Sequence, residues 1–267
     1  MSYLTNAFKL LLLLHLSTSV QSINVLEECG YWTTAKLGFQ CGSILSDVAE
    51  KDWKTRSIKE VVEACDKAID CLSSYDCEAI RDARNKIIQT CDQTSYLDSD
   101  NMLCLQSFYQ KAYMTKFENR TYGSSDSCFH EHSFMDANLD KRQQAYKNGK
   151  LCFIKYVRDY CTPEALEYFN AVHYDRFVEN NSIDSSSLPC NNPINILNVL
   201  QCETIIEEYS NAIQQWVESD DDERTNLGRL KEMCSDSKDC VTSLCIDLDV
   251  SSKNIVFSSC SMLEELK

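Results

Sequence analysis

Glycine and proline are scarce in this 267-residue chain, occurring 6 and 3 times. Tight turns and left-handed corners depend on them, so a disulfide-rich β-fold built of many short strands is excluded. Basic residues are also in the minority: 26 Lys and Arg stand against 41 Asp and Glu, a formal charge of −15. A surface that acidic repels phosphate backbones and anionic lipid heads, which removes nucleic acid and polybasic membrane docking from the expected partners. Histidine occurs 4 times. The G-x-S-x-G elbow of serine hydrolases and the H-E-x-x-H helix of zinc proteases are both absent. No two cysteines have the C-x2-C spacing of a structural zinc site. Long apolar runs are missing as well. Leu10 to Leu16 is the only candidate, far short of the roughly 20 residues of a membrane span.

What is present begins with that run. Met1 to Lys9 carries one positive charge, Leu10 to Leu16 is apolar, and Ser17 to Ser22 is small and polar. This three-part pattern predicts a secretory signal peptide over residues 1–22, cleaved after Ser22. Lys9 is its only charged residue, so cleavage takes the formal charge from −15 to −16. The C-terminal SSCSMLEELK offers no apolar tail for a lipid anchor. The expected product is secreted and extracellular, without a membrane span.

All 16 cysteines follow the cleavage site. An even number in an exported chain reads as a disulfide framework. The first six are Cys29, Cys41, Cys65, Cys71, Cys77 and Cys91, with gaps of 11, 23, 5, 5 and 13 residues. The last six are Cys190, Cys202, Cys234, Cys240, Cys245 and Cys260, with gaps of 11, 31, 5, 4 and 14. The order of gaps repeats, and EACDKAIDCLSSYDC (Glu63 to Cys77) resembles EMCSDSKDCVTSLC (Glu232 to Cys245). We read a duplicated unit. Cys104, Cys128, Cys152 and Cys161 lie between the copies. Each set is even and can close on itself, giving eight bonds with none between copies. The pairings inside a set stay open, since six cysteines allow 15 connectivities.

The apolar residues recur at helical spacing. Ile58, Val61, Val62, Cys65, Ala68, Ile69 and Leu72 share one face, as do Ile80, Ala83, Ile87 and Cys91. Leu105, Phe108, Tyr109, Ala112, Tyr113 and Phe117 make a broad aromatic stripe. Thr162, Pro163 and Glu164 suit a helix start, from which Ala165, Leu166, Phe169, Val172 and His173 follow one face. Ile205, Ile206, Tyr209, Ile213 and Trp216 do the same. The expected fold class is all-α and disulfide-rich, packed helices stapled by bridges, with a partial second copy of the cysteine-rich unit. Each bridge is expected to stabilise by roughly 2–4 kcal/mol, which compensates for thin cores. The polar run NNSIDSSSLPCNN (Asn180 to Asn192) reads as the boundary, giving a first domain at 23–180 and a shortened second at 190–267. The acidic run Glu218 to Glu223 reads as a loop.

The C-x5-C-x5-C run Cys65–Cys71–Cys77, the helical stretch to Cys91, Cys152 and the segment CTPEALEYF (Cys161 to Phe169) together resemble the nematode secreted cysteine-rich domain known as domain of unknown function nineteen. That resemblance implies a helical extracellular domain of about a dozen disulfide-bonded cysteines per full copy, with no activity to carry over. This chain departs from it in having 10 cysteines before the boundary and a second copy that stops at its sixth. By spacing alone the chain is also similar to the helical cysteine-knotted modules of growth-factor co-receptors.

Candidate chemistry is thin. Glycosylation is expected at the sequons Asn119-Arg120-Thr121 and Asn180-Asn181-Ser182. His130-Glu131-His132 places two imidazoles one residue apart but lacks further ligands, and reads as a solvated loop. His173 falls on an apolar helical face and reads as core. Asp98-Ser99-Asp100-Asn101 and Asp220-Asp221-Asp222 lack the glycine and terminal Glu of a calcium loop. No catalytic, cofactor-binding or metal-ligating residue is assigned, and the chain is read as a non-enzyme that needs no cofactor. The expected function is a secreted binding or interaction module acting on an extracellular protein. The alternative is a carrier of a small apolar ligand, in a cavity lined by Phe108, Tyr109, Tyr113 and Phe117. A more distant alternative is an enzyme of unrecognised type using His130, His132 or His173.

Overall fold

The computed structural model describes residues 28–50, 57–118, 127–184, 188, 192–218, 224–244 and 250–265. Among them there is no strand, so the fold is all-α, held by disulfides. The signal segment, Cys190, Cys245, Asn119 and the acidic run Asp220–Asp222 lie outside the described residues. The chain divides into two compact units, residues 1–95 and 96–267. The packing division therefore falls at the end of the third helix. The polar segment expected as the boundary lies inside the second unit.

The first unit contains α1 (Tyr31–Glu50), α2 (Ile58–Ser73) and nearly all of α3 (Glu78–Tyr96). Gly30 precedes α1 with φ +77°, a left-handed conformation that a side chain would strain. Its carbonyl accepts from the Thr34 amide and hydroxyl. A capping box starts α2: the Glu60 amide donates to the Ser57 hydroxyl (3.4 Å), and the Ser57 amide donates to the Glu60 carboxylate (3.1 Å). The expected stripe of α2 is then buried at Val61, Cys65, Ala68 and Leu72, joined by Ala64. Ala68 and Leu72 pack on Leu37, Cys41 and Leu45 of α1, while Val61 and Cys65 meet Cys91 of α3. Three bridges lock the arrangement: Cys29–Cys77, Cys41–Cys71 and Cys65–Cys91.

In the second unit α4 (Ser99–Thr115) is the spine, packed against α5 (Ser127–Glu131), α7 (Lys150–Tyr160), α8 (Pro163–Phe169) and α10 (Pro193–Glu218). Between them in sequence lie α6 (Leu139–Asn148) and α9 (His173–Asn180), and α11 (Arg224–Ser243) and α12 (Val250–Glu265) close the chain. The Asp98 carboxylate caps α4 by accepting from the Asp100 amide (3.0 Å). Phe108 of α4 is fully buried, with Phe129, Phe134, Phe153 and Tyr156 at 5.4, 5.1, 4.7 and 5.4 Å between ring centroids. Phe153 carries the cluster on to Phe169, Tyr174 and Phe177, all within 5.4 Å. Cys104–Cys161 ties α4 to the end of α7, and Cys128–Cys152 ties α5 to α7. Gly149 separates α6 from α7 because space demands it: a Cβ there would sit 2.6 Å from the buried Phe134 ring.

One expected helix is two. Thr162 caps α8 and Pro163 takes its first turn, but the helix ends at Phe169. The chain turns through Asn170–Val172 and restarts at His173. The break exposes Val172 while His173 stays buried.

The last three helices repeat the plan of the first three. Cys202–Cys240 joins α10 to α11 as Cys41–Cys71 joins α1 to α2, and Cys234–Cys260 matches Cys65–Cys91 with the same separation of 26 residues. Counting from these cysteines, Val61, Ala64, Ala68 and Leu72 correspond to Leu230, Met233, Ser237 and Val241, and all eight are buried. Each of the seven described bridges joins cysteines of a single set.

Candidate functional site

The polar residues that converge most closely do so inside the second unit. Asn181, just past α9, is buried. Its side-chain oxygen accepts from the Gln201 amide of α10 and from the Tyr109 hydroxyl of α4 (3.5 Å). Arg142 of α6 donates to the Asn181 carbonyl (3.4 Å) and to that of Asp136 (2.9 Å). Tyr174 donates to the Tyr146 carbonyl (2.7 Å). Burial raises the pKa of Tyr109, Tyr146 and Tyr174 above the ordinary phenol value, so these phenols stay neutral. Amides and neutral phenols in a dry interior supply neither a nucleophile nor a base. Their effect is to fix the relative placement of α4, α6, α9 and α10.

The histidines are held by structure. His173 stacks on Tyr168 at 4.6 Å with the rings parallel, and Arg176 donates to its Nδ1 at 2.6 Å. His130 and Glu131 end the short helix α5 rather than lying in a loop, and His132 follows with its ring on the edge of Phe134, 5.8 Å away. The structure brings none of these imidazoles together with carboxylates as a metal set: among the described residues no group of three His, Cys, Asp or Glu side chains is arranged for one. Asp98 is a helix cap and Asn101 is buried. The aromatic stripe is core, with Phe108, Tyr109 and Tyr113 all buried. It lines neither of the two concavities that stand out among the described residues.

Asn180 stands at the last position of α9, where its Nδ2 donates to the hydroxyl of the buried Tyr96 (2.9 Å). That nitrogen is the atom a glycan would occupy. The Ser182 hydroxyl of the same sequon donates to the Val178 carbonyl (2.7 Å). Sequence reasoning found the tripeptide, but its tertiary engagement left no local signal.

The feature that sequence reasoning missed is a concave groove of about 350 Å3 between α1 and α2. Ser43, Ile44 and Asp47 line it from α1, and Glu60, Glu63, Ala64 and Lys67 from α2. Trp32 and Phe39 lie further up the same side of α1, 83% and 71% exposed. The only signal available was the helical spacing Trp32, Phe39, Ser43, Asp47, which mixes aromatic and polar residues and reads as a solvated face.

These features define a class: a cysteine-rich, disulfide-stapled helical module whose convergent interior polar groups are structural. A family model described as "Domain of unknown function (DUF19)" matches residues 27–191, and the chain belongs to that family. No curated protein and no solved structure matches it. No helix among the described residues is long and apolar enough to cross a membrane.

Proposed function

We propose that this chain is a secreted, extracellular interaction module that works by binding a protein partner rather than by catalysis. The observation that carries this reading is where the chemically capable side chains go. Fourteen cysteines are spent in seven bridges among the described residues. His173 is buried under Tyr168, and the Tyr109 and Tyr174 phenols are neutral hydrogen-bond donors. A scaffold cross-linked this densely suits an oxidising compartment. It presents a rigid, strongly acidic surface on which association costs little ordering. The aromatic stripe that a lipid carrier would keep open is filled by Phe129, Phe134, Tyr146 and Phe153, which favours the interaction reading over the carrier.

The test uses the mature protein, secreted with its bridges intact and immobilised in extracellular fluid of its source. A partner retained saturably, released by reduction of the bait and cross-linked to named surface residues is the expected result. Native mass spectrometry of the same protein showing a stoichiometric apolar ligand would replace this reading with the carrier.

A further inference from the structure

The groove between α1 and α2 has a filled counterpart in the same molecule. Because Cys41–Cys71 and Cys202–Cys240 fix the same register, the α1–α2 interface corresponds residue by residue to the α10–α11 interface. Asp47 corresponds to Glu208, Glu60 to Arg229, Glu63 to Glu232, Ala64 to Met233 and Lys67 to Asp236. On α10–α11 these positions hold the C-terminal end of α4. Gln110 donates to Glu208 (2.5 Å), and the Tyr113 hydroxyl donates to Asp236 (3.1 Å). The Lys116 ammonium bridges Glu232 (2.7 Å) and Asp236 (2.9 Å), and the Arg229 guanidinium covers the Phe117 ring at 5.3 Å. The second module is therefore a receptor for a helix end carrying an aromatic residue and, three positions on, a cation.

We propose that the α1–α2 groove is a docking site for a helix of a separate protein, with an aromatic residue followed three positions later by a lysine or arginine. This rests on the interaction reading above and gives its partner a chemistry. The floor of the groove is Ala64 where the second module has the larger Met233, which leaves depth for a ring. Asp47, Glu60 and Glu63 outnumber Lys67 along its walls; Lys67 pairs with Glu63 and Glu60 caps α2, and the groove keeps a net negative charge that favours a basic helix end. The arginine that covers Phe117 is replaced here by Glu60, which strengthens that preference.

The probe is a labelled, helix-stapled peptide of residues 99–118 with Cys104→Ser, which is the protein's own docking helix. It is titrated by fluorescence anisotropy into the intact full-length mature protein. Glu63 is 55% exposed and takes no part in the capping box; its ion pair with Lys67 (4.0 Å) is a surface contact of small weight, so Glu63→Lys leaves the fold in place. Saturable binding that Glu63→Lys weakens about tenfold, equivalent to one charge contact, is the expected result. A peptide with Lys116→Glu should be weakened alike on the native protein and recover on the Glu63→Lys protein. No saturable binding, or binding indifferent to Glu63→Lys, overturns the groove. A dimer in sedimentation velocity that Glu63→Lys dissolves makes a second copy the occupant and also overturns the proposal. If the peptide fails while a captured partner cross-links elsewhere, the groove falls and the interaction reading stands. If both fail, both fall.

Discussion

Phe108→Ala tests whether the aromatic interior is a packed core or a ligand chamber. The Phe108 ring is fully buried and touches rings from α5, α6 and α7. Truncating a buried Phe removes its transfer free energy and leaves a cavity, at about 3–5 kcal/mol together. The upper half of that range applies because the walls cannot close in. Phe129, Phe134 and Phe153 are themselves packed ring to ring. The helices that carry Phe129 and Phe153 are pinned by Cys104–Cys161 and Cys128–Cys152. A loss of about 4 kcal/mol corresponds to a fall of about 10 °C in the melting temperature of a unit this size. The measurement is thermal unfolding followed by near-ultraviolet tyrosine dichroism with the bridges oxidised. Leu151→Ala, at a side chain 86% exposed, serves as the control and should change stability by less than about 0.5 kcal/mol. A loss below about 1 kcal/mol for Phe108→Ala would show that the ring already borders space, and the filled-core argument would fail.

Further outcomes follow from other parts of the molecule. Peptide mapping of protein secreted from eukaryotic cells should recover Asn180 without glycan, since its Nδ2 is bonded to the buried Tyr96 hydroxyl; a glycosidase-sensitive Asn180 peptide would contradict this. Replacing Cys65 and Cys91 together by serine removes a cross-link over 26 residues, which loop entropy puts at about 3.5 kcal/mol. The equivalent change at Cys234 and Cys260 spans the same length, and denaturant titration should show similar losses in both. Burial, and then the neighbouring Glu207 carboxylate, raise the pKa of Glu203 above the ordinary Glu value. The folded form thus holds that proton more tightly than the unfolded chain, so the benefit is present in acid and is lost as pH rises past the ordinary value. Glu203→Gln should therefore add stability at pH 7, by a fraction of about 1 kcal/mol because the site is partly solvated. Chemical unfolding at the two pH values should show no gain near pH 3.

Much of the framework was legible because it is local. The stripe from Val61 to Leu72 and the start at Thr162–Pro163 are written in spacing and cap chemistry, and the structure places them so. The even sets of cysteines and the repeated gaps were legible for the same reason. The break after Phe169 was not, since Val172 and His173 continue the apolar spacing and no glycine or proline marks the turn. The division of the chain at Ser95 was also hidden, because it falls inside a helix where no turn residue marks it. Whether Phe108 lines a hole or a core depends on Phe129, Phe134, Tyr146 and Phe153, which reach it only in three dimensions. The groove was invisible because its meaning comes from comparing two interfaces in register, and the register became known only with the bridges.

That comparison also bears on how firmly the proposed partner would be held. On α10 the flank of the docking face is apolar and buried at Ile194, Leu197 and Leu200. On α1 the corresponding residues are Thr33, Lys36 and Phe39. The polar positions deeper in the face keep their type: Gln201, Thr204 and Glu208 correspond to Gln40, Ser43 and Asp47. Of these Glu208 meets the C-terminal end of α4, through Gln110, so Asp47 is the position at which the first module keeps the docking chemistry, while Gln40 accepts from Tyr75 within its own unit. A leucine left exposed at Lys36 would add an apolar patch prone to non-specific contact, whereas lysine stays solvated when the groove is open. Two aromatic anchors, Trp32 and Phe39, remain beside it, and residues of that kind concentrate binding energy in a small area. On the proposal above, a face of this composition would form an interface of the small, weak class, below about 1,200 Å2. On that reading the copy that α4 fills holds its helix, and the α1–α2 groove exchanges one.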